Sequence, residues 1–157
     1  MFKIFALIIF LFIFAFFGLL FYRHWKTQRS PNQAQFLRGQ IPTQLPNGPM
    51  EGTVGGITTT WQGKKFDREN SKGINLFSKN YETEERYPFK TEVAKGAVDH
   101  DLDVIKIDYD IPENPIWLRF ILDEIVEVEP GKYLGKVMIR FTPQLTFALG
   151  YFELKKN

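Results

Sequence analysis

Residues 4–22 are apolar without interruption; Lys3 precedes the run, and Arg23, His24, Trp25 and Lys26 come after it. At 1.5 Å per residue a helix over this run measures about 28 Å, close to the roughly 30 Å hydrocarbon layer of a bilayer. A helix of that length, apolar on every side, has no face to offer water. Residues 1–22 therefore read as a single transmembrane anchor. A cleaved secretory signal needs a shorter apolar core with small residues after it at an A-x-A-like site. Here the run is rich in Phe and leaves through Phe21, Tyr22, Arg23, His24, Trp25 and Lys26, the aromatic and basic chemistry of a headgroup layer. Lys3 stands before the run, against Arg23, Lys26 and Arg29 after it, so the positive-inside rule favours a cytoplasmic C-terminal domain.

Four of the 20 basic residues flank the anchor, leaving 16 against all 18 acidic residues from position 30 onward. A neutral to slightly acidic domain lacks the clustered positive face that a nucleic-acid backbone requires. The expected partner is instead the lipid bilayer, whose anionic headgroups attract juxtamembrane basic residues by about 1 kcal/mol each. No motif specifies a protein partner. The chain has no cysteine, which removes disulfides and thiolate metal sites together.

Residues 23–49 read as a juxtamembrane tether, turning from residue 27 onward to Gln, Pro, Asn, Gly and Thr. Pro31, Pro42, Pro46 and Pro49 argue against a regular helix and for an extended segment. Its spaced apolar residues, Phe36, Leu37, Ile41 and Leu45, are available to dock on the C-terminal domain. That domain, residues 50–157, suffices for one small core.

The periodicity of the domain is two. Tyr87, Phe89, Thr91 and Val93 alternate with Arg86, Lys90 and Glu92. Ile105, Ile107 and Tyr109 alternate with Lys106 and Asp108. Pro130 and Gly131 mark a turn, and pairing Glu129 with Lys132 puts Val126, Val128, Tyr133, Gly135 and Val137 on an inner face. Glu127, Glu129, Lys132 and Lys136 then share the outer face, and Glu124 falls inward. Residues 145–154 are apolar on both faces. Residues 114–121, opening with Asn114 and Pro115, carry the one helical signal of this domain. The expected fold is mainly β: a small antiparallel β-barrel or strongly curved sheet with one short helix, preceded by the N-terminal transmembrane helix.

A small barrel that opens with a Gly-rich strand and a Trp, residues 52–61 and then Gln62 and Gly63, and that has an aromatic-rich interior, resembles the lipocalin and calycin group of apolar-ligand carriers. The family's G-x-W signature is absent, since Gly56 and Trp61 are five apart. The resemblance is one of architecture and transfers no ligand residue.

Buried Trp and Tyr need a partner for their polar atoms, which nominates Trp61, Tyr109, Trp117 and Tyr133 as pocket-lining residues. An inward Glu124 would need a cation, with Arg119 or Arg140 available, and such a pair could hold a polar ligand head in an apolar pocket. Gly55 and Gly56 read as a bulge or a close backbone approach. His100, among Asp99, Asp101 and Asp103, reads as part of a solvated acidic loop: zinc wants further His or Cys, and a calcium loop wants Gly where Val104 stands. No catalytic residue, metal or cofactor is assigned. The expected function is a membrane-anchored binding module for a lipid or other hydrophobic small molecule. The alternatives are a non-catalytic interaction module at the membrane, and a small hydrolase or isomerase using His100 or Glu124.

Overall fold

The structure, a computed structural model, describes residues 2–156. Eight strands succeed one another as β1 (Gly48–Thr53), β2 (Trp61–Asp67), β3 (Lys72–Lys79), β4 (Glu82–Lys95), β5 (Asp103–Asp108), β6 (Ile121–Glu129), β7 (Lys132–Thr142) and β8 (Leu145–Lys156). Each pairs antiparallel with the next, and β1 also pairs with β8, Gly52 opposite Leu154, closing an up-and-down barrel with no free edge. Because the strands alternate in direction, the connections 54–60, 80–81, 109–120 and 143–144 all fall at one end, the mouth. Connections 68–71, 96–102 and 130–131 fall at the other end.

Side chains alternate across the wall, and the inward set includes Met50, Phe66, Phe89, Ile105, Ile107, Ile125, Phe152 and Leu154. Large aromatics fit inside so narrow a barrel because small residues face them. A Cβ on Gly135 would stand 2.1 Å from the Phe152 ring, and one on Gly52 would stand 2.6 Å from the Trp61 indole. The end opposite the mouth is plugged. Ile41 and Leu45 pack on the interior cluster, and the Arg68 backbone N–H donates to Asn47 Oδ1 across the β2–β3 turn.

Strands β6–β8 are covered outside as well as inside. Helix α1 (Phe2–Gln28) is long and apolar enough to cross a membrane, and it continues past Tyr22 to lie on β8. Phe17, Phe21 and His24 surround the Phe147 ring at 5.0–6.3 Å between centroids. Arg23 Nη2 donates to the Leu149 carbonyl at 2.9 Å, and the Ala148 N–H donates to His24 Nδ1 at 3.0 Å. Helix α2 (Pro31–Phe36) then buries Phe36 against Val126 and Leu134. Gln40 and Glu127 exchange backbone hydrogen bonds of 3.0 and 2.8 Å. The double covering explains why residues 145–154 are apolar on both faces.

Four expectations change. Residues 31–36 are helical, because Pro31 sits in the first helical turn, where its missing N–H would have no partner. The helical signal at 114–121 is reduced to a single 3-10 turn, Leu118–Phe120, since pairing with β7 claims Ile121 for β6. Gly55 and Gly56, both at positive φ, form a two-residue turn that brings Val54 opposite Ile57, not a bulge. Glu129 does pair with Lys132, but a bulge at Val128 sets Glu127 opposite Tyr133. One extra residue reverses the face of every side chain before it. Val126 and Glu124 therefore point out of the barrel, and Asp123 and Ile125 point in.

Candidate functional site

The reversal of β6 carries Asp123 into the barrel, where it meets Lys64 from β2. Lys64 Nζ donates to Asp123 Oδ2 at 3.0 Å, to Asn75 Oδ1 at 2.9 Å and to the Tyr109 hydroxyl, which uses all three of its donors. Asn75 is equally occupied. Its Oδ1 also accepts from Trp61 Nε1 at 3.1 Å, and its Nδ2 donates to the Tyr87 carbonyl at 3.0 Å and to Tyr109 Oη at 3.1 Å. The Tyr109 hydroxyl in turn donates to Asp123 Oδ2 at 3.1 Å. In this network one side-chain atom, Asp123 Oδ1, is buried without a partner.

The rings of Trp61, Phe89, Tyr109 and Phe152 have their centroids 5.1–5.5 Å from the ammonium. These are favourable cation–π distances in a desolvated site. Lys64 is 2% exposed and Asp123 4%. Burial pushes the Lys64 ammonium below its ordinary pKa, against the opposing pull of Asp123. Burial, reinforced by the Asp123 carboxylate, holds the Tyr109 phenol well above its ordinary value.

Above this cluster the barrel opens into a pocket at its mouth. A cavity of about 320 Å3 is lined by Lys64, Asn75, Tyr109 and Asp123 and walled by apolar side chains, among them Trp61, Phe77, Tyr87, Ile121, Val137 and Phe152. Val54 and Leu118 place its opening at the mouth. Below the polar cluster, Phe66, Phe89, Ile105 and Ile125 make the interior solid down to the plug.

Of the residues nominated from the sequence, Trp61 and Tyr109 line this cavity together. Trp117 is 61% exposed on the rim, edge-on to Tyr87 at 6.0 Å. Tyr133 lies inside the barrel but toward the plugged end. There burial, with the Glu127 carboxylate adding to it, pushes its phenol up to about 12. Arg119 pairs with Asp110 at 2.6 Å on the surface, and Arg140 holds both oxygens of Asp108 at 2.9 Å. Neither reaches Glu124, which lies outside the wall and accepts from the Ala97 N–H at 2.6 Å. Glu124 Oε2 is unpartnered, and burial raises its carboxyl above the ordinary value despite Lys106 and Lys136 nearby. His100 is exposed, its Nδ1 3.2 Å from the Gly96 carbonyl, and neither His100 nor Glu124 lines the cavity.

The acidic loop is not simply solvated. Asp99 pairs with Lys136, which also donates to Gln33 Oε1 at 2.7 Å and to Gln28 Oε1 at 3.3 Å under the two helices. Lys136 is fully buried, and burial lowers its pKa, with Asp99 opposing. Among the described residues no cluster of three His, Asp or Glu could hold a metal ion.

Sequence pattern alone did not single out Lys64 and Asn75, and it offered Asp123 only as one titratable side chain among several. The spacing of Ile121, Asp123 and Ile125 does place a carboxylate on an apolar face, and Lys64 shares a face with Phe66. The fold thus defines a closed eight-stranded antiparallel barrel of calycin-like architecture, with a largely apolar pocket open at its mouth. Compared with known protein families, curated proteins and solved structures, the chain matches none.

Two outcomes are expected. Lys64→Met leaves the Asp123 carboxylate buried and uncompensated, at a cost of about 3–5 kcal/mol, whereas Lys64→Met with Asp123→Leu loses much less. Denaturation of the full chain in detergent, monitored by tryptophan emission, checks this. Glu124→Gln keeps the acceptor for Ala97. The folded carboxyl binds its proton more readily than the unfolded one, so the charge costs stability above the folded pKa, and that cost fades as pH falls. The variant therefore melts above the parent at neutral pH, and the difference vanishes below the ordinary carboxylate range.

Proposed function

We propose that this chain is a membrane-anchored, lipocalin-like carrier that takes one small hydrophobic molecule into its barrel. The observation that carries the reading is the cavity over the Lys64–Asp123 pair. Its volume of about 320 Å3 is some ten times the share of one liquid water molecule, and falls at the small end of ligand-pocket sizes. Its lining is almost wholly apolar, a surface that costs free energy while it faces water and that an apolar ligand would cover.

The polar floor supports a narrower description of the ligand. All three Lys64 donors are used, and the amide and hydroxyl beside it are satisfied, so the floor has no donor left for an anionic head. One acceptor, Asp123 Oδ1, is left unpartnered and buried beneath the floor. The fitting molecule is therefore an apolar compound whose inner end is uncharged, a hydroxyl or N–H at most. A carboxylate would meet Asp123 as a like charge. Helix α1 supports a bilayer as the site of action, through its length, apolarity and basic exit.

The test is binding of the apolar dye N-phenyl-1-naphthylamine to the full chain in detergent, with an apolar alcohol and the matching fatty acid as competitors. Saturable dye emission, displaced by the alcohol and not by the acid, is expected. Val137→Phe, which fills the cavity from the β7 wall, is expected to abolish binding while the melting curve stays cooperative. A dye that ignores both the barrel and the substitution contradicts the reading.

A further inference from the structure

The approach of α1 to the barrel fixes which end of the barrel meets the bilayer. Going down the helix, Phe16 and Phe17 touch Phe141 at the mouth end of β7, with ring centroids 6.4 and 5.8 Å apart. Next Phe21 meets Phe147, then His24 meets Ala148, and Gln28 meets Lys136 halfway down the wall. The helix therefore runs from the mouth toward the plugged end, and its earlier turns extend beyond the mouth. Their side chains are exposed, Ile4 at 64% and Phe12 at 72%.

The apolar run does not stop at the rim. It continues to Tyr22, six residues past Phe16, which is about 9 Å along the helix axis. Immersing the whole run in hydrocarbon thus carries the level of Phe141 and its neighbour Phe120, 5.9 Å away, below the lipid–water boundary. The barrel end beside the helix must enter the bilayer with it.

The surface of that end fits such a place. Each of the four mouth connections or its flank presents exposed apolar or aromatic groups: Ile57 at 67%, Tyr81 fully, Ile116 at 74%, Trp117 at 61%, and Phe120 and Leu145 to a lesser degree. Among the described residues the other exposed large apolar side chains of the barrel are Val54, in the first mouth connection, and Val93, which lies away from this end. Charges near the mouth are largely paired, Arg119 with Asp110 and Lys79 and Arg86 with Glu84. Trp and Tyr in such a collar are the side chains that favour the headgroup layer, and an apolar rim of this kind is costly in water.

We propose that the mouth of the barrel is seated in the same bilayer that α1 spans, so that the cavity opens into lipid and exchanges its ligand with the membrane without passing through water. The proposal rests on the anchor reading of α1, and its test separates the two. The chain has no cysteine, so single cysteines can carry a nitroxide without background. Full-length Ile57→Cys, Ile116→Cys, Glu69→Cys, Lys132→Cys and Phe10→Cys, all at exposed positions, are labelled and reconstituted into dioleoylphosphatidylcholine vesicles. Spin relaxation by oxygen, which concentrates in lipid, is compared with relaxation by a water-soluble nickel chelate. The expected result is oxygen-dominated relaxation at 10, 57 and 116 and nickel-dominated relaxation at 69 and 132, a several-fold difference in the ratio. Nickel-dominated relaxation at 57 and 116 with oxygen at 10 overturns the seating and leaves the anchor standing. Nickel-dominated relaxation at 10 overturns the anchor, and the seating with it.

Discussion

A lysine inside a barrel only eight strands around dictates much of what surrounds it. An isolated ammonium in such a place costs many kcal/mol of lost hydration, which only complete replacement of its water partners offsets. Lys64 has that replacement in Asp123, Asn75 and Tyr109, with four aromatic rings filling the directions that hydrogen bonds leave open. Each of these hydrogen-bonding groups comes from a different part of the wall, so the network also fixes the relative register of β2, β3, β6 and the end of β5. The bulge at Val128 belongs to the same arrangement, because without it Asp123 would face outward and leave Lys64 alone. Asp123 Oδ1 alone in this network keeps no partner.

The second buried lysine has a different task. Lys136 stands on the outer face of β7, and its partners Asp99, Gln28 and Gln33 belong to the 96–102 loop and the two helical segments. It joins three pieces that are distant in sequence, with Phe36 and Tyr151 packed around it. Together with the Phe147 cluster this joint makes α1 part of the barrel rather than a flexible leash. These contacts tie the direction of α1 to that of the cavity mouth.

The fold was legible where local pattern decides structure. Period-two alternation, turn residues and the apolar run at 4–22 give strands, barrel and helix, and two-sided apolarity in 145–154 marks a strand covered on both faces. The site was legible only in part. Trp61 and Tyr109 emerge from the rule that buried aromatics with polar atoms need partners. Glu124 was the right kind of residue one position away from the right place, because a bulge reverses faces and leaves no mark in the alternation on either side of it. Arg119 and Arg140 found partners in Asp110 and Asp108, at the mouth end, since surface carboxylates nearby are cheaper partners than a buried one. Lys64 escaped notice because a lysine next to Lys65 in a strand reads as solvated. The docking of residues 31–45 was foreshadowed only by the spacing of Phe36, Ile41 and Leu45.

If the pocket above Lys64 and Asp123 holds a molecule, that molecule leaves the membrane with the protein. Native mass spectrometry of the full chain released from detergent, with solvent extraction of whatever it carried, tests this most directly. One co-purified apolar compound without a carboxylate, at up to one per chain, is expected. A bare polypeptide mass that persists after incubation with a membrane lipid extract would contradict such occupancy.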